Sequence, residues 1–186
     1  MSTPVAPVFA TIFRRDEAPL AATLAEGITH HHPGAAIYAV LLDDDGSGAV
    51  PRGATAVAIA DLGFTDEQGL VLQLTARTSD ASMVISPALV AHLLRATASA
   101  PVVYLSPDTM ICAALPGLPA SGITMLSRLS QIPPDDGRTP DRDDLLRLSA
   151  LDDGFLAAAP DAADVRDAAT PGLFPAATSS DPAPGR

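Results

Sequence analysis

Apolar and polar positions along this chain fall into blocks whose lengths and spacings predict alternating strands and helices. Val8 to Phe13 is a compact apolar segment of strand length. Arg14, Arg15 and Asp16 then open an amphipathic stretch to about Thr29, with Leu20, Leu24 and Ile28 at helical spacing. His30, His31 and His32 fall in its last turn, where cations suit the helix dipole, and Pro33-Gly34 breaks the pattern. Ala36 to Leu42 predicts a second strand, closing on Asp43-Asp44-Asp45-Gly46 and a loop through Gly53, and Ala54 to Ile59 a third. From Asp66 the spacing turns helical, with one segment to about Thr78 and another from about Ser82 to Ala98. Proline suits only the first turn of a helix, so the second is expected to run regularly from Pro87 through Leu89, Leu93 and Leu94, with Ser82 to Ser86 as loop or a separate turn. A strand around Val102, an apolar run from Met110 to Leu115, and a strand at Gly122 to Leu126 follow. The loop Pro133 to Arg138 precedes a helix from about Pro140 to Leu148, and Gly154 to Ala158 is the final strand.

This alternation describes an α/β fold, a mostly parallel sheet flanked by helices in a single domain. The expected boundaries are a flexible N-terminus over 1–7, the domain over 8–165 and a disordered tail over 166–186, where Ala, Pro, Ser, Thr, Asp and Gly dominate. In open α/β sheets ligands bind beyond the carboxyl ends of the strands. The strand that stops on Ser106-Pro107-Asp108 is therefore the first place to look for a site.

Charge and composition narrow the chemistry. Twenty-two acids against 11 bases give a formal charge of -11, which opposes phosphate backbones and anionic lipid, so no nucleic acid is expected as partner. No stretch approaches the roughly 20 apolar residues of a membrane span, and no basic, apolar and cleavable leader opens the sequence, which together predict a cytoplasmic protein. Every base is Arg. The absence of Lys excludes a Schiff-base lysine, a P-loop lysine and the lysine of phospho-receiver domains. No G-x-G-x-x-G follows a strand, so a dinucleotide site has no support. Cys112 lies within an apolar run and is expected to fill core. Three adjacent histidines point in different directions around a helix and make a poor metal site.

The collinear motifs Thr11-Ile12-Phe13-Arg14-Arg15, His32-Pro33-Gly34 before a strand ending Leu42-Asp43-Asp44, Val103-Tyr104-Leu105-Ser106-Pro107-Asp108, and Asp135-Asp136-Gly137-Arg138-Thr139-Pro140 followed by Gly154-Phe155-Leu156 carry a likeness. Together they resemble the amino-terminal half of bacterial GT-A-fold, nucleotide-sugar-dependent glycosyltransferases of the glycogenin and lipopolysaccharide galactosyltransferase kind, over roughly Val8 to Ala158. In that family the strand phrase usually reads Tyr-Leu-Asp-Pro-Asp, the D-x-D element, whose two carboxylates hold Mn²⁺ or Mg²⁺ against the donor diphosphate.

The resemblance implies Asp108 as the remaining metal ligand in a degenerate D-x-D whose first acid is Ser106. It also implies donor contacts at Thr11, Ser106 and Asp152, a Mn²⁺ or Mg²⁺ cofactor with a nucleotide-sugar, and hexosyl transfer. No catalytic acid or base is identified. Three departures accompany it. The family's Lys-Pro pair is Ser86-Pro87, its Tyr-Asn-Leu-Gly-Phe phrase is Leu151-Asp152-Asp153-Gly154-Phe155, and its acceptor-side half has no counterpart after about Val165. The alternative reading is a non-catalytic, truncated relic acting as an interaction module. The expected macromolecular partner is a second copy of the chain or a protein supplying the missing half, the latter restoring the enzyme reading. Arg14 and Arg15 could face a diphosphate but are better read as solvated residues opening a helix. Asp43 to Asp45 and Asp135 to Arg138 read best as loops.

Overall fold

A computed structural model describes residues 5–44, 49–75, 78–97, 100–116, 118–127 and 151–162. The helix expected from Pro140 to Leu148, the loop before it and the C-terminal tail lie outside them. The described residues form one six-stranded sheet of order β3-β2-β1-β4-β6-β5. Its strands are β1 (Val8–Phe13), β2 (Ala36–Leu41), β3 (Ala54–Ala56), β4 (Val102–Leu105), β5 (Ile123–Ser127) and β6 (Leu151–Ala158). β3, β2, β1 and β4 run parallel, whereas β6 is antiparallel to both of its neighbours. The helices are α1 (Ala18–His31), α2 (Asp66–Thr75) and α3 (Thr78–Thr97). The α/β fold with a mostly parallel sheet and flanking helices is thus as the sequence predicts. None of the described helices is long and apolar enough to cross a membrane.

Strand alternation divides the core into two layers. Val8, Ala10, Ile12, Tyr104, Leu156 and Ala158 pack on the α3 side, and Phe9, Val103, Leu105 and Ala157 pack with Leu24, Ala25 and Ile28 of α1 on the other. β1 is buried at all six positions because both of its faces are covered, which is why it reads as an unbroken apolar run.

The buried stripe of α1 is Ala21, Leu24, Ala25 and Ile28, while Leu20 is 47% exposed, so the inward face is one position on from the spacing that begins at Leu20. β3 stops at Ala56, short of the expected Ile59. Val57 N–H still donates to Ala39 O at 2.9 Å, but the chain then coils into a 3₁₀ turn, Ile59–Leu62, that buries Ile59 and Leu62, three residues apart. α3 runs unbroken through Pro87. An interior proline removes one backbone hydrogen bond and crowds a carbonyl, at a cost of about 3 kcal/mol. Here Ile85, Ala88, Leu89, Val90, Ala91 and Leu93 are each at most 2% exposed, and their burial, at about 1.5–3 kcal/mol for each of the larger side chains, outweighs that cost.

Met110 to Leu115 forms neither strand nor helix. Ile111 alone turns fully inward, Met110 is 71% exposed and Cys112 is exposed, so Cys112 is not core filler. The segment passes α1 at Gly27, where a built Cβ would stand 3.3 Å from both Cβ and O of Ile111. A side chain at this position would press on Ile111, which would have to give by a few tenths of an ångström.

Candidate functional site

Two crossovers set the site. The β1-α1-β2 unit winds over one face of the sheet, and α2 and α3 return the chain over the other to β4, which lies on the opposite side of β1 from β2. Connections therefore leave in opposite directions from the carboxyl ends of β1 and β4, the arrangement that opens a crevice in α/β sheets. Arg14 and Arg15 follow β1 at this edge, Asp43 follows β2, and Ser106, Pro107 and Asp108 follow β4. Since β6 is antiparallel, its first residues, Leu151 to Asp153, return to the same edge beside β4.

At this edge Ser106 N–H donates to Gly154 O at 2.9 Å, which extends the β4–β6 ladder by one residue. Asp152 Oδ1 accepts from Gly154 N–H at 2.7 Å, a short charge-assisted bond. A Cβ built on Gly154 would lie 3.0 Å from Asp152 Oδ1 and 3.4 Å from Ser106 Cβ, so the two side chains meet over one glycine. Both are half-buried. Thr109 N–H donates to Ser106 O at 3.0 Å, closing a turn in which Ser leads and Pro follows, the order such turns favour. Pro107 is buried beneath this turn and Asp108 is exposed upon it.

The sequence-predicted residues thus separate into two sets. Ser106 and Asp152 come together, with Asp108 at the tip of the adjoining turn. Thr11 does not join them. It shares the face of Phe9 and Phe13, toward α1, is 3% exposed, and its hydroxyl has no hydrogen-bond partner among the described residues. Ser106 and Asp152 continue the opposite face, that of Tyr104 and Leu156.

Arg14 and Asp43 make contacts that tie neighbouring elements together. Arg14 Nη2 donates to Gln73 O at 2.8 Å in the last turn of α2, where a cation suits the helix dipole, and its N–H donates to Glu17 Oε2 at 2.9 Å. Asp43 Oδ1 accepts from Arg15 N–H at 2.9 Å and ties the end of β2 to the start of the turn that follows β1. Sequence reading missed the Gly154 approach and the Arg14–Gln73 contact. A glycine directly after two acids in a strand was the available signal for the first, and the second, 59 residues apart, left none.

Among the described residues no three His, Cys, Asp or Glu side chains group into a metal site. His30 and His31 meet edge to face with ring centroids 4.6 Å apart, whereas His32 turns away to lie 4.8 Å from the Phe9 ring. His32 Nε2 accepts from Leu115 N–H at 3.0 Å. Burial, and secondarily the neighbouring His31, hold its pKa below the ordinary value of 6.5. A groove of about 350 Å³ lies between the 3₁₀ turn and α2, lined by Ile59, Phe64, Thr65, Gly69, Leu70 and Gln73, and neither Ser106 nor Asp152 lines it.

No protein-family model matches this chain, and no curated protein matches it. Solved structures do. The apo structure of WbbM, a bifunctional glycosyltransferase, is similar over 90% of this chain and 34% of its own, with a TM-score of 0.47 and 16% identity. The chain spans about a third of that protein's length.

Proposed function

We propose that this α/β domain is glycosyltransferase-like, binding a nucleotide-sugar at the carboxyl edge of β4 and supporting transfer of its hexosyl group. The observation that carries the reading is the junction of Ser106 and Asp152 over Gly154, beside the Asp108 turn, at the point where the chain's crossovers part. The motif order that resembles GT-A enzymes supports it as well.

Asp108 and Ser106 offer a carboxylate and a hydroxyl, hard oxygen donors of the kind Mg²⁺ and Mn²⁺ take. Mg²⁺ sites commonly use only one or two carboxylates, with substrate phosphates and water completing the shell. In this reading Asp108 would hold the ion and Ser106 would bond the donor or an ordered water. When bound, the ion supplies positive charge to the departing diphosphate. Asp152, its Oδ1 already fixed by Gly154 N–H, would in this reading accept from hydroxyls of the sugar.

A thermal-shift titration with UDP- and GDP-sugars, with and without Mn²⁺, tests this. A ligand that binds only the folded chain stabilises it by about 2.7 kcal/mol at a hundredfold excess over Kd, a rise in Tm of roughly 5–10 °C for a domain of this size. The expected result is a metal-dependent rise that Asp108→Ala abolishes. The same rise in Asp108→Ala would remove Asp108 from the site, and no rise with any nucleotide-sugar would overturn the reading.

A further inference from the structure

The segment from Met110 to Leu115 has no secondary structure of its own and is fixed to α1 at two points. Ile111 packs at Gly27, and Leu115 N–H reaches His32 Nε2 across 83 residues of sequence. A ring nitrogen accepts a hydrogen bond only when it carries no proton, so the second point exists only for neutral His32, protonated at Nδ1. We infer that residues 110–115 form a proton-released strap, latched to the end of α1 by neutral His32 and unlatched when that imidazole gains a proton.

The surroundings favour a latch of this kind. Phe9 from β1 lies against the ring and carries no charge to offset an imidazolium. From the strap, His32 meets the Leu115 backbone, while the strap-side ionisable groups Cys112 and Asp108 are exposed. On α1, Glu26 and His30 are exposed, and His31 opposes a second positive charge beside it. Protonation therefore replaces an acceptor by a donor facing a donor, with no carboxylate shown at the ring to compensate. The strap departs directly from the Ser106–Thr109 turn, so its release also loosens the chain after Asp108. The inference holds whether or not that turn binds a nucleotide-sugar.

The test follows the full-length chain between pH 8 and 5 by two readouts: the protection factor of the Leu115 amide, and the anisotropy of a fluorophore on Cys112, the chain's single cysteine. Latching predicts that Leu115 protection falls by about fivefold or more, the scale of one net hydrogen bond, with a midpoint below 6.5. Anisotropy falls in step. His32→Gln, whose amide oxygen accepts without titrating, should hold the strap at every pH, and His31→Gln should move the midpoint upward. Circular dichroism confirms that each variant is folded. Leu115 protection that is absent at pH 8, or that falls with pH equally in a folded His32→Gln, overturns the strap. If His32→Gln does not fold, His31→Gln decides: an unmoved midpoint overturns the assignment to His32.

Discussion

At Gly154 the backbone of β6 runs so close to Ser106 and Asp152 that an added methyl would have to share their space. The atom it meets first is a carboxylate oxygen, which swings aside more readily than backbone does. Gly154→Ala is therefore expected to break the bond from Gly154 N–H to Asp152 at a cost of about 1 kcal/mol without unfolding the sheet. Urea melts read the cost, and in an Asp152→Ala background it should vanish, since the clash and the bond are then both gone. Thr11 carries the opposite expectation. Its buried hydroxyl lacks a partner among the described residues, so Thr11→Val, which keeps the shape and the β-branch, should stabilise the chain by about 1–2 kcal/mol. A loss of stability in Thr11→Val would instead show that a water satisfies the hydroxyl. For His32 the lowered pKa means that the unfolded chain binds more protons between the folded value and 6.5. Its contribution is thus whole above 6.5 and declines as pH falls to the folded value, below which it changes no further. His32→Gln should flatten that part of the stability profile.

Among the elements, the contact between α1 and the strap offers a test of local against global effects. Gly27→Ala gains about 1 kcal/mol of helix propensity and sets a methyl against Ile111, which belongs to no strand or helix and can yield. Overall stability should change by less than about 1 kcal/mol while Leu115 amide protection drops, because the strap is displaced from its second anchor. Hydrogen exchange beside a thermal melt separates the two. The same element shows where sequence is informative. Ile28 and Leu24 announce α1 correctly, but periodicity alone selected Leu20 over Ala21, since a small residue carries a weak apolar signal even where it packs closest. The strands β1, β2, β4 and β5 were legible because their runs are short and bounded by turns. Pro87 was misleading: a local rule places it in a first turn, and the tertiary burial of its neighbours, invisible in sequence, overrides that rule. Cys112 was placed in the core by its apolar neighbours, whereas among them only Ile111 is fully buried and Leu115 partly so. For the site, the resemblance grouped Thr11, Ser106, Asp108 and Asp152, and of these the β4–β6 register brings Ser106 and Asp152 together. Thr11 lies on the other face because a one-residue step along β1 reverses the side-chain direction.

On the scale of the molecule, a formal charge of -11 on 186 residues opposes compaction and is felt most where salt is scarce. Raising ionic strength from about 0.01 to 0.15 M shortens the screening length from about 30 to 8 Å, and Tm should climb by about 2–4 °C. A flat response would mean that the acids lie too far apart to repel one another. The strand order has a further consequence for a chain made from its N-terminus. Among the described residues β5 is an edge strand paired with β6 alone, and Ile123, Met125 and Leu126 on it are 40–51% exposed even when paired. On the ribosome β5 emerges about thirty residues ahead of β6, so at about 5–20 residues per second it waits some seconds for the strand that must slip between it and β4. During that interval the nascent chain presents an open edge at β4 and a lone apolar strand, and the junction of Ser106 with Asp152 does not yet exist. In the described sheet the Ser106–Asp152 junction is consequently the last part to be built, and synthesis halted before Leu151 leaves the carboxyl edge of β4 without it.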